Sequence, residues 1–418
     1  VKRIELEIKA LSPLAISRQK PGGSISECED YIPGSVIRGA IASQILKQSG
    51  KQFDNLSNDG GDFQELFLSD TPAIFQNAYP SIKIKGKLIP KGRIEEIKVL
   101  PATALSSKNK FGFKTEKKNG VFDSLIDRFC AEHYGFSYEP NCPEEKGGRV
   151  EPYTSFYSKY NTKYYSLNLT KRLLTRVGIN RKLATSEEDI LYSIQVVNES
   201  QTSRKNEKPV ILKSAIIISN NKILEKLQQF ININGYNFRL GGSTSRGLGK
   251  VEIRAEELEI QHSIKDKIET FTNHLQVRWD KWSIFGKPLQ ELPKNRTYFS
   301  LNLQSDAILT EKWQRITVIS TQMLQNFTDV NDESLQLEAA YSSYDYRSGW
   351  NSAWGLMKDI ELVTNKGAVY LFSTKQPQIW YTALAELEFK GVGERTYEGF
   401  GQIEVCNDFH LVFREEAV

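Results

Sequence analysis

The chain opens on an alternation of apolar and charged residues. Within Val1-Lys2-Arg3-Ile4-Glu5-Leu6-Glu7-Ile8 the period is two from Arg3 onward. That pattern predicts a half-buried strand and differs from the unbroken apolar run of a leader peptide. Tyr31-Ile32-Pro33-Gly34-Ser35 then breaks the chain, with Ser35 as a predicted N-cap. Val36, Ile37, Ala40, Ile41, Ile45 and Leu46 follow at helical spacing, with Arg38 and Lys47 off that face. Residues 51–62 read as a polar loop. Over 81–99, Lys83, Lys85 and Lys87 alternate with Ile82, Ile84 and Leu88, which predicts a hairpin with one basic face. Residues 105–120 read as a mobile basic loop. Ile264, Ile268, Phe271 and Leu275 mark a further helix, followed by Trp279, Trp282 and Phe285.

A repeat underlies these elements. Gly247-Leu248-Gly249-Lys250-Val251-Glu252-Ile253 matches Gly399-Phe400-Gly401-Gln402-Ile403-Glu404-Val405 in residue type. Each copy follows a glycine-rich polar stretch with an arginine, residues 241–246 in one and 391–398 in the other. Residues 6–17 pair more weakly with residues 299–310, both being alternating strands that lead into polar loops. The expected division is two copies of one unit, 1–258 and 295–418, with 259–294 packing as a connector.

The 418-residue length fits two or three domains at roughly 150 residues each. Hydrophobic residues at 39% exclude wholesale disorder. A net charge of only +4 excludes a polycation, so any nucleic-acid surface must be local. Cys28, Cys130, Cys142 and Cys406 are too scattered for a disulfide framework. No run of 18 apolar residues occurs, so no membrane span is expected and the cytoplasm is the default.

The candidate chemistry is anion binding. Glycine-rich loops let backbone N–H groups approach phosphates with no Cβ in the way. Gly241, Gly242, Gly247 and Gly249 with Arg246 fit that role. Gly391, Gly393, Gly399 and Gly401 with Arg395 repeat it. The competing reading is a hairpin whose glycines only supply positive φ. The helix start at Ser35 offers N–H groups to an anion, with Arg38 in its first turn. Residues 152–186 hold no Asp or Glu. They carry Lys159, Lys163, Lys171, Arg172, Arg176, Arg181 and Lys182 among Tyr153, Tyr157, Tyr160, Tyr164 and Tyr165. Cations neutralise phosphate and tyrosines stack on unpaired bases, although some of these rings belong to a core. Tyr341, Tyr344, Tyr346, Arg347, Trp350 and Trp354 form a second aromatic cluster, for which packing is the plainer reading. Cys130, His133 and Cys142 have zinc-ligand character without an evident fourth ligand, so no metal or other cofactor is expected.

Four of these segments, in order, resemble the RAMP (repeat-associated mysterious protein) superfamily of CRISPR systems. Residues 32–40 resemble its Pro-Gly-Ser helix start, and residues 241–249 its glycine-rich loop. Residues 175–185 with Leu191-Tyr192 resemble its central segment. Gly349-Trp350-Asn351 and the second glycine loop match a second unit. Size and motif order look most like the large RAMP protein of type III-D complexes. The resemblance implies an α+β fold of two ferredoxin-like (RRM-type) βαββαβ domains with insertions. It also implies a role similar to the group-five Cas proteins, which cap a crRNA-guided assembly and hold the 5′ handle. The partners would be crRNA, target RNA indirectly, the RAMP backbone proteins and the large signalling subunit, with no membrane. The RNA-binding residues would be Arg18, Lys20, Gly34, Ser35, Arg38, Lys171, Arg172, Arg176, Arg181, Lys182, Gly242, Ser243, Ser245, Arg246, Gly247 and Arg395. Tyr31, Tyr164 and Trp350 would stack on bases.

Some relatives cut RNA with a histidine, others with an aspartate after the first strand. None of His133, His262, His274 and His410 lies in that loop, and Lys20, Pro21 or Gly22 holds the position that best matches the aspartate. No catalytic residue is expected. The alternatives are an endoribonuclease using Asp30 and an adaptor that touches protein only.

Overall fold

The computed structural model describes residues 2–18, 27–49, 61–81, 97–145, 147–180, 182, 185–203, 206–259, 263–293, 295–351 and 355–418. Most of the expected polar loop at 51–62 and of the basic hairpin at 81–99 lies outside the described residues. So do Lys20, Arg181, His262 and Trp354, and the side chains of Arg18 and Trp350. Among the described residues no helix is long and apolar enough to cross a membrane.

The opening strand, Lys2–Ala10, buries Ile4, Leu6, Ile8 and Ala10 and turns Arg3, Glu5, Glu7 and Lys9 to its other face. It is the second strand of an antiparallel sheet. Val251–Glu259 flanks it on one side and Ile211–Ile217 on the other, with Ile74–Phe75 and Tyr79–Ser81 beyond. The helices Gly34–Ser49 and Asn221–Ile233 cover the apolar face, where Ile37, Ile41, Leu224 and Leu227 meet Ile4, Leu6 and Ile8.

The second half repeats this plan. Thr297–Leu303 lies between Ile403–Val405 and Val369–Thr374, with Gln336–Tyr341 at the edge. The helices Thr321–Thr328 and Pro377–Lys390 follow the first and third of these strands in chain order. The repeat holds to the register. Ala10 faces Val251 as Leu303 faces Ile403, and Ile8 faces Ile253 as Leu301 faces Val405. The loops are tied alike: Gly242 N–H to the Ala15 carbonyl at 2.8 Å and Glu394 N–H to the Ile308 carbonyl at 2.9 Å.

The helix Ile264–Trp282 begins at a Ser263 cap and buries Ile264, Ile268, Phe271, Leu275 and Trp279 in the core of the second half. It also closes an edge. The first residues of Thr297–Leu303 run past the end of their short neighbour. There Thr272 Oγ1 accepts from Tyr298 N–H at 3.0 Å and donates to the Tyr298 carbonyl at 2.9 Å.

Packing crosses the two halves. Leu125, Ile126 and Phe129 of the helix Leu125–His133, which lies early in the chain, join the core of the second half. Phe113 and Phe122 pack with Phe409 and Val412 near the C-terminus. Residues 105–120 are therefore not a mobile loop: Phe113 is buried, and Ser106 Oγ bonds the Gly120 carbonyl at 2.9 Å. Ser35 is not the helix cap either. The helix runs from Gly34 to Ser49, and the Pro33 carbonyl accepts from Val36 and Ile37. The loop geometry of Pro33 starts the helix, so Ser35 already lies inside the first turn.

Replacing Thr272 by Val keeps the shape but strands the N–H and carbonyl of Tyr298. It is expected to cost about 1–3 kcal/mol in urea unfolding, as buried unpaired polar groups do. Glu5 lines a polar cavity of about 230 Å³ between the halves. Burial pushes its carboxyl up from 4.5 to about 7, against the pull of Lys213 and Arg3. Between those values the folded chain holds a proton that the unfolded chain has released, so this group's contribution to stability falls as pH rises. Glu5→Gln should match the parent near pH 4.5 and be the more stable of the two at pH 8, as read by denaturant unfolding at each pH.

Candidate nucleic-acid interface

Both glycine loops, the first helix and an arm of the second half meet around a cleft of about 730 Å³. Ser35, Gly39, Ser43 and Lys47 lie at four-residue spacing along the helix and face this cleft. A Cβ on Gly39 would meet nothing within 4 Å. Small side chains thus leave the wall open up to the ammonium of Lys47.

The first glycine loop forms a second wall. Ser243 is left-handed at φ 56°, and the turn Thr244–Arg246 is right-handed. Among the described residues the N–H groups of Ser243, Thr244 and Ser245 have no protein acceptor. This succession of handedness makes a concave nest of donors suited to an anion. Gly241 is required by packing, since its Cβ would lie 2.5 Å from the Ala15 carbonyl oxygen. Gly247 faces open space at φ +85°. Arg246 donates to the Tyr192 hydroxyl and lies over its ring, and Arg176 donates to the Arg246 carbonyl at 3.2 Å. Tyr192 and Arg176 belong to the long hairpin Lys171–Asn180 with Thr185–Val197, whose root packs on Ala15 and Leu248. Arg246, Arg176, Lys47 and Arg239 have no carboxylate partner among the described residues. Arg239 bonds only the backbone carbonyls of Tyr236 and Phe238, at 3.3 and 2.8 Å.

The second glycine loop is built alike and used differently. By register, Arg246 corresponds to Glu398, and Arg395 corresponds to Ser243. The two arginines that the sequence pairs are therefore not equivalent. Arg395 binds Glu398 at 2.5 Å, and Lys358 binds the same carboxylate at 3.0 Å. Burial raises the Glu398 carboxyl, but Arg395 and Lys358 outweigh it and hold it below its usual range. Gly399 is buried: its Cβ would lie 2.5 Å from Asn77 Oδ1 and 3.0 Å from the Phe75 carbonyl oxygen.

That contact defines the Pro-Gly-Ser turn. Gly34 N–H donates to Asn77 Oδ1 at 2.8 Å, so it is not free for a phosphate. A Cβ on Gly34 would overlap the Phe75 carbonyl and lie 2.8 Å from that of Glu398. Arg38 donates to the Phe67 carbonyl at 2.6 Å and is sandwiched by the rings of Phe67 and Tyr397, so it too is a docking residue.

The floor is an ion cluster. Arg347, from the second half, binds Glu29 of the first half and Asp306 of its own. Burial drives the Asp306 carboxyl up, but Lys366 and Arg347 reverse this and keep it below the usual range. Tyr31 is 5% exposed and packs on Tyr79 and Phe156. Burial and then Asp306 push its phenol well above the usual value. Tyr164 stacks on Phe113 under Lys159. The Tyr31 ring is closed to a base, because side chains distant in the chain cover it, whereas Tyr164 is half-buried.

The other expected residues divide. Lys171 binds Asp30 at 2.8 Å and Arg172 binds Glu199 at 3.0 Å, while Lys182 is exposed at the hairpin turn. Among the described residues no three His, Cys, Asp or Glu side chains group to hold a metal. His133 packs between Phe129 and Trp279, and Cys142 accepts from Asn119 Nδ2 at 3.3 Å. His410 is buried between Asp123 and Asn302. Sequence reasoning missed Arg239 and the role of Lys47. Arg239 stands two residues before the glycine loop, and Lys47 continues the small-residue stripe; either spacing was readable.

Gly34→Ala forces backbone against backbone and should cost about 3 kcal/mol in denaturant unfolding. Gly247→Ala meets only the left-handed penalty and should cost about 1 kcal/mol.

A model of the RAMP superfamily matches residues 7–252. No curated protein matches the chain. Among solved structures, a type III-B Cmr-beta complex bound to cognate target RNA and AMPPnP contains a chain 16% identical. The match covers 88% of this chain and 86% of that one, with a TM-score of 0.42. A Cas6 product complex matches at 12% identity over 50% of this chain and 82% of that one, with a TM-score of 0.28.

Proposed function

The chain belongs to the RAMP superfamily, and we propose that it is a non-catalytic, crRNA-binding scaffold subunit of a type III-D CRISPR interference complex. It grips the single-stranded 5′ handle. Its two ferredoxin-like units, 1–258 and 295–418, are joined through 259–294. The strand order, with the first strand of the chain central and a helix after the first and third strands, supports that reading of each unit. The remaining surface meets the neighbouring RAMP subunits and the signalling subunit.

The observation that carries the proposal is the cleft between the units. A small-residue helix face, the first glycine loop with Thr244 of its nest, and the cations Lys47 and Arg239 line it, with the carboxylate of Asp359 on the opposite wall. Such a surface neutralises a backbone and reads little sequence. Arg176 and Arg246 extend the positive strip onto the hairpin. The second loop contributes shape, because Glu398 holds Arg395 and Lys358 against the junction. Asp30 is bound to Lys171, which disfavours it as the centre of a nuclease.

The test is fluorescence anisotropy with a labelled single-stranded RNA carrying the handle of the host's own repeat. Arg239→Glu and Lys47→Glu should each weaken binding by roughly tenfold. Each should also flatten the dependence of log K on log salt by about 0.7 for every phosphate no longer neutralised. Lys390→Glu, on an exposed helix end paired with Glu386, should change neither. Unaltered affinity in both cleft variants would remove the cleft from the reading. Complex assembly without RNA binding would leave the protein-only adaptor. Magnesium-dependent cleavage abolished by Asp30→Asn would make the chain a nuclease.

A further inference from the structure

Beside the cleft stands a small hairpin, Leu309–Glu311 with Gln314–Ile316, joined by only Lys312 and Trp313. Both turn residues have positive φ, 48° and 67°. Two-residue turns of this kind favour Asn-Gly, and a bulky side chain in the left-handed region is a steric outlier. Trp313 is nevertheless there, and it is 100% exposed. Among the described residues no contact compensates the strain, which points to a ligand.

The hairpin is fixed at its root. Arg315 binds Glu361 at 2.7 Å and Glu394 at 2.5 Å, and Thr310 donates to Glu394 at 2.5 Å. Glu361 lines the cleft, and Glu394 directly precedes Arg395 of the second glycine loop. The ring therefore projects two residues beyond an anchor on the cleft wall. Its exposed neighbours Lys312, Gln314 and Arg315 are polar. Protein-binding hot spots sit within a packed apolar patch. A flat, fully exposed ring beside a cation fits a nucleobase, which offers a π face and a nearby phosphate.

We propose that Trp313 is a stacking platform for one unpaired nucleobase of single-stranded RNA leaving the cleft, with Lys312 beside its phosphate. This rests on the RNA-binding reading above and adds a contact that the handle-binding motifs do not include.

The test uses the full chain and a labelled single-stranded RNA about 20 nucleotides long, enough to reach past the cleft. Trp313→Ala should weaken binding by about tenfold, while Trp313→Tyr stays within about twofold of the parent. Lys312→Asn with Trp313→Gly relaxes the turn. It should raise Tm while lowering affinity, a combination that a structural role for Trp313 would not give. With 5-bromouridine in the RNA, the photocrosslink should map to Trp313. Unchanged affinity in Trp313→Ala, with Arg239→Glu still impaired, overturns this inference and leaves the functional reading standing. Loss of partner-subunit association with RNA affinity unchanged overturns it in favour of a protein knob. A parent chain that binds no RNA overturns both.

Discussion

The two halves of this chain meet backbone to backbone. The helix start at Gly34 lies against the Phe75 and Glu398 carbonyls, and Gly399 lies against Asn77 and the Phe75 carbonyl. Asn77 Oδ1 accepts the Gly34 N–H in the middle of this contact. No Cβ fits between these groups. The close approach sets the spacing of the first helix from the second glycine loop, and hence the width of the cleft between them. Arg347 reinforces the same junction from below by holding carboxylates of both halves. Such a buried cluster is costly to break, because removing the guanidinium takes one cation away from two buried carboxylates.

One constraint then explains why duplicated loops behave differently. Ser243 and Arg395, Gly247 and Gly399 share the left-handed conformation, and most of the backbone bonds of the two loops correspond. The first loop lies on the outer side of the junction and keeps its donors open. The second is the surface on which the first half docks. Glu398, at the position of Arg246, ties Lys358 and Arg395 to one carboxylate inside the junction. A duplicated unit that joins its own copy cannot keep both loops free.

Ion pairing leaves few of the chain's cations open to a ligand. Cations of the basic, tyrosine-rich segment are spent on local carboxylates, as Lys171 is on Asp30 and Arg172 on Glu199. A few at the cleft and the hairpin base remain without acidic partners among the described residues. A short strip of this kind suits a few nucleotides of single strand, whose charge is local, better than a long duplex.

The sequence by itself determined the opening strand, the helix that follows the Pro-Gly-Ser turn, the repeat and its register, and the family. Each of these is written in periodicity or in local residue types, which neighbours within a few positions enforce. It did not determine which motif residues face a ligand. Gly34 and Gly242 look alike as glycines beside serines, yet one is sealed by carbonyls from residues 75 and 398 and the other is open. Tyr31 looks like a stacking ring, yet Tyr79 and Phe156 cover it. Trp313 stands in a stretch without a motif, yet a tight turn leaves it fully in solvent. Burial depends on contacts between residues tens to hundreds of positions apart, and local pattern carries no information about them. The tertiary structure alone decided which donors, cations and rings stay open to a ligand.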